Sequence, residues 1–181
     1  MHRLSFPSLV VGSTNDPAAP GLDTRPLEFG QLVHRLVAER NDAAVSDGVE
    51  LALKTPEDVS LPVEGNSHLL ETLVSNLLDN AIRFSPNGVK VQVHLENQGD
   101  RVCLRVRDQG PGIPSDEIEH LFDPFFCSRS PGKGSNGLGL AIVQAVAKAH
   151  GGEAKALQPT PRGAEIIICL PLTTARSSRR P

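Results

Sequence analysis

The chain of 181 residues carries 18 Lys and Arg against 21 Asp and Glu, a formal charge of −3. That near balance gives no electrostatic case for nucleic acid or an acidic membrane. Six Phe with no Trp or Tyr remove the stacking platforms of a single-strand binder.

Three cysteines, Cys103, Cys127 and Cys169, are odd in number and far apart. They read as free thiols in a reducing compartment, and none has the spacing of a zinc site. No apolar run approaches the length needed to span a bilayer. The start has a basic residue and a short apolar patch, but Pro7 interrupts it and no convincing small-residue cleavage site follows. That reads against a signal peptide and for a cytoplasmic location.

In chain order, Pro7, Pro17 and Pro20 break residues 1–25 into an expected linker or irregular arm. Leu32, Val33, Leu36 and Val37 then recur at helical spacing, predicting an amphipathic helix over 28–46. His34 lies on it as a surface or boundary residue. Residues 49–54 alternate as a strand, and 61–64 resemble a second, short one.

The next stretch, Leu69 to Ser85, organises the rest. Leu70, Val74, Leu77, Leu78 and Ala81 gather on one side of a helix, which Asn66 or Ser67 can cap. Thr72, Asn76, Asp79, Asn80 and Arg83 lie opposite. Asn is a mediocre helix former that Lys, Glu or Gln would outdo on a solvated face. Two Asn one turn apart beside an Arg could offer oxygen ligands to a hard metal and a positive charge to a phosphate. Taken alone, the stripe reads more readily as a solvated face; the downstream features reverse that.

Ser85-Pro-Asn-Gly ends the helix. Residues 89–96 and 101–107 alternate on either side of Asn97-Gln-Gly-Asp, predicting a hairpin. The second strand enters Asp108-Gln-Gly-Pro-Gly-Ile-Pro, a tight loop with exposed backbone, and Ser115 can cap a short helix to about His120. Leu121-Phe-Asp-Pro-Phe-Phe follows, and then a run over 127–136 without periodicity, which predicts a functional or mobile loop. Gly137-Leu-Gly opens a helix that Gly151 stops. Residues 153–157 and 164–170 supply two more strands, and 173–181 read as a polar tail.

The glycine-rich stretch before the last helix presents unsatisfied N–H groups to an anion. It is not a Walker A loop, since Gly134 follows Lys133. Nor is Gly110-Pro-Gly112 a dinucleotide fingerprint. Asp108 at a strand end offers an acceptor to the exocyclic amino group of a purine. Asn76, Asn80 and Arg83 would meet the phosphate end, with Mg²⁺ between amide oxygens and phosphates.

In order, N-L-L-D-N-A-I-R-F-S-P, D-Q-G-P-G-I-P, F-D-P-F-F and G-L-G-L-A-I-V resemble the N, G1, F and G2 boxes of the sensor histidine kinase catalytic domain. That domain belongs to the GHKL ATP-binding superfamily. The resemblance covers roughly residues 24–172. It implies a two-layer α/β sandwich, the Bergerat fold, with a mixed sheet and helices on one face, over an ATP-binding domain of 26–172. It implies Mg²⁺ on Asn80 with help from Asn76, and Asn76 and Arg83 as the catalytic positions. Asp108, Gly110, Gly112 and Ile113 would shape the adenine pocket, Phe122 to Phe126 would hinge a lid, and Gly137, Leu138 and Gly139 would line the phosphates.

The family's phosphoacceptor, a His followed by an acidic residue and then Arg and Pro, is not in this sequence. The implied partner is therefore a helical dimerisation and phosphotransfer domain, in cis in a longer membrane-anchored parent or in trans, with a response regulator receiver downstream. No nucleic acid partner and no direct membrane contact are expected. Hydrolysing members of the superfamily carry a Glu base where this chain has Asn76, and an amide cannot take a proton. The chain alone is therefore expected to bind ATP without labelling itself. A module that only docks is the remaining alternative.

Overall fold

The computed structural model describes residues 23–56, 60–128, 136–159 and 162–173. Residues 1–22 of the arm expected over 1–25, most of the 127–136 run and nearly all of the tail lie outside the described residues.

Among the described residues there are seven strands and three helices, and all but the first strand follow the expected order. They are β1 (Arg25–Glu28), α1 (Phe29–Ser46), β2 (Val49–Lys54), β3 (Pro62–Gly65), α2 (Ser67–Phe84), β4 (Val89–Asn97), β5 (Arg101–Arg107), α3 (Gly139–Ala149), β6 (Glu153–Leu157) and β7 (Glu165–Pro171). The main sheet runs β2-β4-β5-β7-β6. Its β2–β4 pair is parallel and the others are antiparallel, so it is mixed, as the resemblance implies.

Period-2 alternation sends Val91, Val93 and Leu95 of β4, Val102, Leu104 and Val106 of β5, and Ile166, Ile168 and Leu170 of β7 into one buried core. The three helices cover that face. The opposite face carries paired charges, including Arg105 with Glu165 at 3.0 Å and Arg101 with Glu153 at 3.0 Å. These bonds keep that face solvated.

In α2 the buried set is Leu70, Leu73, Val74, Leu77, Leu78 and Ala81. Each of the larger ones contributes about 1.5–3 kcal/mol by leaving water. Asn66 caps the helix, its side chain accepting from the Leu69 N–H at 3.1 Å. This burial leaves the polar side of α2 outside the core: Glu71 and Asp79 pair with Arg35 and Arg40 of α1, and the stripe of Asn76, Asn80 and Arg83 is left for chemistry.

His150 closes the far side. It is 8 % exposed; Nε2 accepts from the Asn66 N–H at 3.0 Å and Nδ1 lies 2.7 Å from the Val146 carbonyl. The ring is therefore neutral with its proton on Nδ1, and it ties the end of α3 to the start of α2.

The structure departs from the sequence reading at three points. β1 pairs with β3 in a separate two-stranded sheet, Arg25 opposite Gly65. Pro26 concealed this strand, because proline is tolerated only where a strand edge needs no donor. The expected helix from Ser115 shrinks to a 3-10 turn, Ile118–His120, too short to nucleate a regular helix.

The cysteine reading needs correction. Cys103 and Cys169 stand directly opposite in the β5–β7 register and form a disulfide, with Cα atoms 4.1 Å apart. Chain separation concealed a pair that only strand pairing brings together, so cysteine usage no longer argues for a reducing compartment. Cys127 is exposed.

Candidate functional site

The site forms where β5 ends, α2 turns its polar stripe outward and α3 begins. Asp108 continues β5 by one residue, its N–H donating to the Ala164 carbonyl at 2.9 Å. The residue is 8 % exposed. Oδ1 accepts from the Gly110 N–H at 2.9 Å and the Ala164 N–H at 3.0 Å. Burial pushes the Asp108 carboxyl above the ordinary range, and the two backbone N–H donors oppose that shift. One oxygen is thus locked by backbone, which orients the second as an acceptor for a ligand.

Two glycines make this packing possible. A Cβ at Gly163 would lie 2.1 Å from the Asp108 carbonyl oxygen, and one at Gly110 would lie 2.5 Å from the Phe84 carbonyl oxygen.

Asn80, Phe84, Asp108, Pro111, Gly112, Ile113, Leu121, Ser128, Leu140 and Ala164 line one cleft. Its apolar walls suit a flat ring, and Asp108 and Asn80 supply polar groups. Asn80 Oδ1 accepts a short hydrogen bond from Arg83 Nη2, and the Arg83 guanidinium lies 4.8 Å over the Phe84 ring. Asn76 Nδ2 donates to the Thr72 carbonyl at 2.8 Å. That turns its oxygen toward α3, where a Cβ on Gly139 would sit 3.1 Å from it.

Gly137 has φ +64, and a Cβ there would lie 2.5 Å from the Phe125 carbonyl carbon. Its carbonyl accepts from the Phe125 N–H at 2.9 Å. The phenylalanine turn and the start of α3 are thereby joined. Phe125 is itself at φ +66, an uncommon conformation for a bulky residue, and is 75 % exposed.

Of the residues singled out in the sequence, Asn80, Asp108, Gly112 and Ile113 line the cleft, and Gly110 packs beneath it. Arg83 reaches it through Asn80, whereas Asn76 faces Gly139 at the start of α3 and neither residue lines the cleft. Phe122 is buried in the core, whereas Leu138 is exposed at the head of α3. Phe84, Leu121, Leu140 and Ala164 were missed. Phe84 and Leu140 lie inside recognised boxes and Leu121 adjoins one, but nothing in the pattern marks Ala164, whose role is a backbone N–H.

The amide oxygens of Asn76 and Asn80 are hard ligands of the type Mg²⁺ takes. Asn80 already receives a cation, the Arg83 guanidinium, so the donor set fits the ion. Among the described residues no cluster of three or more His, Cys, Asp or Glu could hold a metal.

Residues 65–174 match the family described as histidine kinase-, DNA gyrase B-, and HSP90-like ATPase. The chain belongs to that family. Within it this domain is of the histidine kinase type, as its relatives are. The sensor protein kinase PmrB of Pseudomonas aeruginosa is 34% identical over 161 residues, covering 86% of this chain and 32% of the relative. The structure of the mycobacterial sensor histidine kinase MprB is 34% identical with a TM-score of 0.72, covering 82% of this chain and 97% of that one. Full-length ShkA, solved in complex with AMPPNP, is 27% identical with a TM-score of 0.74, covering 87% of this chain and 33% of that one. The chain spans about a third of the length of PmrB. Among the described residues no helix is long and apolar enough to cross a membrane.

Proposed function

We propose that this domain binds Mg·ATP in the cleft and donates the γ-phosphoryl group to a histidine on a separate helical domain. The observation that carries the reading is the divided role of Asp108, with one oxygen held by two backbone N–H groups and the other left as an acceptor. An adenine amino group donates to that oxygen, whereas guanine would present a second acceptor. The AMPPNP bound to ShkA supports a nucleotide in the equivalent fold.

Asn80, assisted by Asn76, holds Mg²⁺, which when bound neutralises charge on the phosphates. Arg83 stands on the same stripe at the phosphate end, and the N–H groups at Gly137, Leu138 and Gly139 meet phosphate oxygens at the start of α3. Ile113 and Gly112 flank the base. Phosphoryl transfer then depends on positioning and charge stabilisation. Asn76 leaves water without a general base, which favours transfer over hydrolysis.

Phe125, Leu138 and Ile142 are exposed apolar side chains on the joined phenylalanine turn and α3, beside the phosphate end. A surface of this kind suits docking of an amphipathic helix. We assign it to the helical dimerisation domain, which passes the phosphoryl group on to a response regulator receiver. Residues 26–172 would form the catalytic unit between an arm and a tail, on the cytoplasmic side of any membrane-anchored parent.

The test is γ-labelled ATP with and without a matching helical dimerisation domain. The expected result is binding but no labelling by the chain alone, and acid-labile label on the added domain's histidine. Acid-labile label on the isolated chain, lost on His34→Ala, would overturn this division of labour.

A further inference from the structure

We infer that Arg83 occupies the cation position on Asn80 in the nucleotide-free protein and yields it when metal and nucleotide arrive together. This rests on the ATP reading above and extends it by naming what holds the metal ligand beforehand. Arg83 Nη2 donates to Asn80 Oδ1, three residues back along α2. An amide oxygen has two acceptor directions, but a guanidinium and a divalent ion on one oxygen repel each other strongly outside bulk water.

The other arginines of the helical layer are matched with carboxylates. Arg40 pairs with Asp79 at 2.9 Å, and Arg35 pairs with Glu39 at 3.0 Å and with Glu71. Among the described residues Arg83 has no carboxylate partner, and its Nε is buried with no acceptor. Its charge rests on one amide dipole and the Phe84 ring, a setting that a polyphosphate readily outcompetes.

The fold also provides somewhere for the side chain to go. Arg83 borders a groove of about 710 Å³ between the ends of α1 and α2, shared with Asp47, Asp79 and Ser85. Withdrawal into that groove frees Asn80 without disturbing the buried face of α2. Two consequences follow: Mg²⁺ alone binds this site poorly, and Arg83 matters most to a nucleotide that arrives without metal.

Calorimetric titration of ADP into wild type, Arg83→Gln and Arg83→Lys, each with excess EDTA and with saturating Mg²⁺, tests this. Arg83→Gln should weaken ADP about tenfold or more in EDTA, the value of a charge-assisted hydrogen bond, and less than about threefold with Mg²⁺. Arg83→Lys keeps the charge and should retain most of the metal-free affinity. It also preserves the comparison if the Gln variant folds poorly. Equal losses in both conditions, or a loss confined to Mg²⁺, would overturn the exchange of Arg83 for metal. Failure of wild type to bind ADP under either condition would instead remove the nucleotide reading itself.

Discussion

Asp108→Asn separates recognition from folding, because the two carboxylate oxygens have different partners. Oδ1 takes N–H groups from Gly110 at 2.9 Å and Ala164 at 3.0 Å. In the variant the amide oxygen must stay on those two donors, since the reverse orientation would set an NH₂ group against both. The NH₂ group therefore points at the ligand, where an adenine amino group also donates. The loss is a hydrogen bond to a charged acceptor, about 1.5–3 kcal/mol, or about 10- to 150-fold in affinity. Burial of the charge disappears at the same time, so the variant should melt no lower than wild type. Calorimetry with Mg·ADP and a thermal melt measure the two effects. An affinity within twofold of wild type, in a folded variant, would refute the assignment of Oδ2 to the base.

The same variant gives a pH prediction without nucleotide. The folded pKa of Asp108 lies above its unfolded value of about 3.9, so its contribution to stability is present below that pH and is lost as pH rises through the folded value. Urea unfolding should show Asp108→Asn gaining on wild type as pH rises from about 4; a constant gap would contradict the buried, raised carboxyl. Gly137→Ala should cost about 1–3 kcal/mol through positive φ and a clash with Phe125. Gly88→Ala, at φ +83 with nothing within 4 Å of its Cβ, should cost less, and equal losses in thermal unfolding would count against the joint between the phenylalanine turn and α3. Reduction of Cys103–Cys169, which closes a loop of 66 residues, should lower stability by about 2–4 kcal/mol without loss of fold. Denaturant unfolding of Cys103→Ser/Cys169→Ser against oxidised wild type checks that value; no difference would place the benefit in the strand ladder alone.

Local pattern carries much of this protein. Period 2 over 89–97 and 101–107, the apolar face of α2 and the glycine that stops α3 are all set by neighbours in the chain. They are legible because side-chain direction repeats along a strand or helix. That Asn76, Asn80 and Arg83 share one stripe was legible for the same reason, helical spacing, but the stripe taken alone read as a solvated face, and only the aspartate and glycine motifs further along the chain singled it out.

What the tertiary structure decided depends on contacts between residues far apart in sequence. Ala164 supplies a backbone N–H to Asp108 from 56 positions away, and any residue with an N–H could have done so, so composition carries no trace of it. Gly163 is demanded by an oxygen of that same aspartate, and Gly137 by Phe125; both demands exist only after the chain has packed. The disulfide is the sharpest case. Two cysteines 66 residues apart look unrelated until β5 and β7 pair, because strand register is fixed by the burial of whole faces rather than by any signal near either thiol.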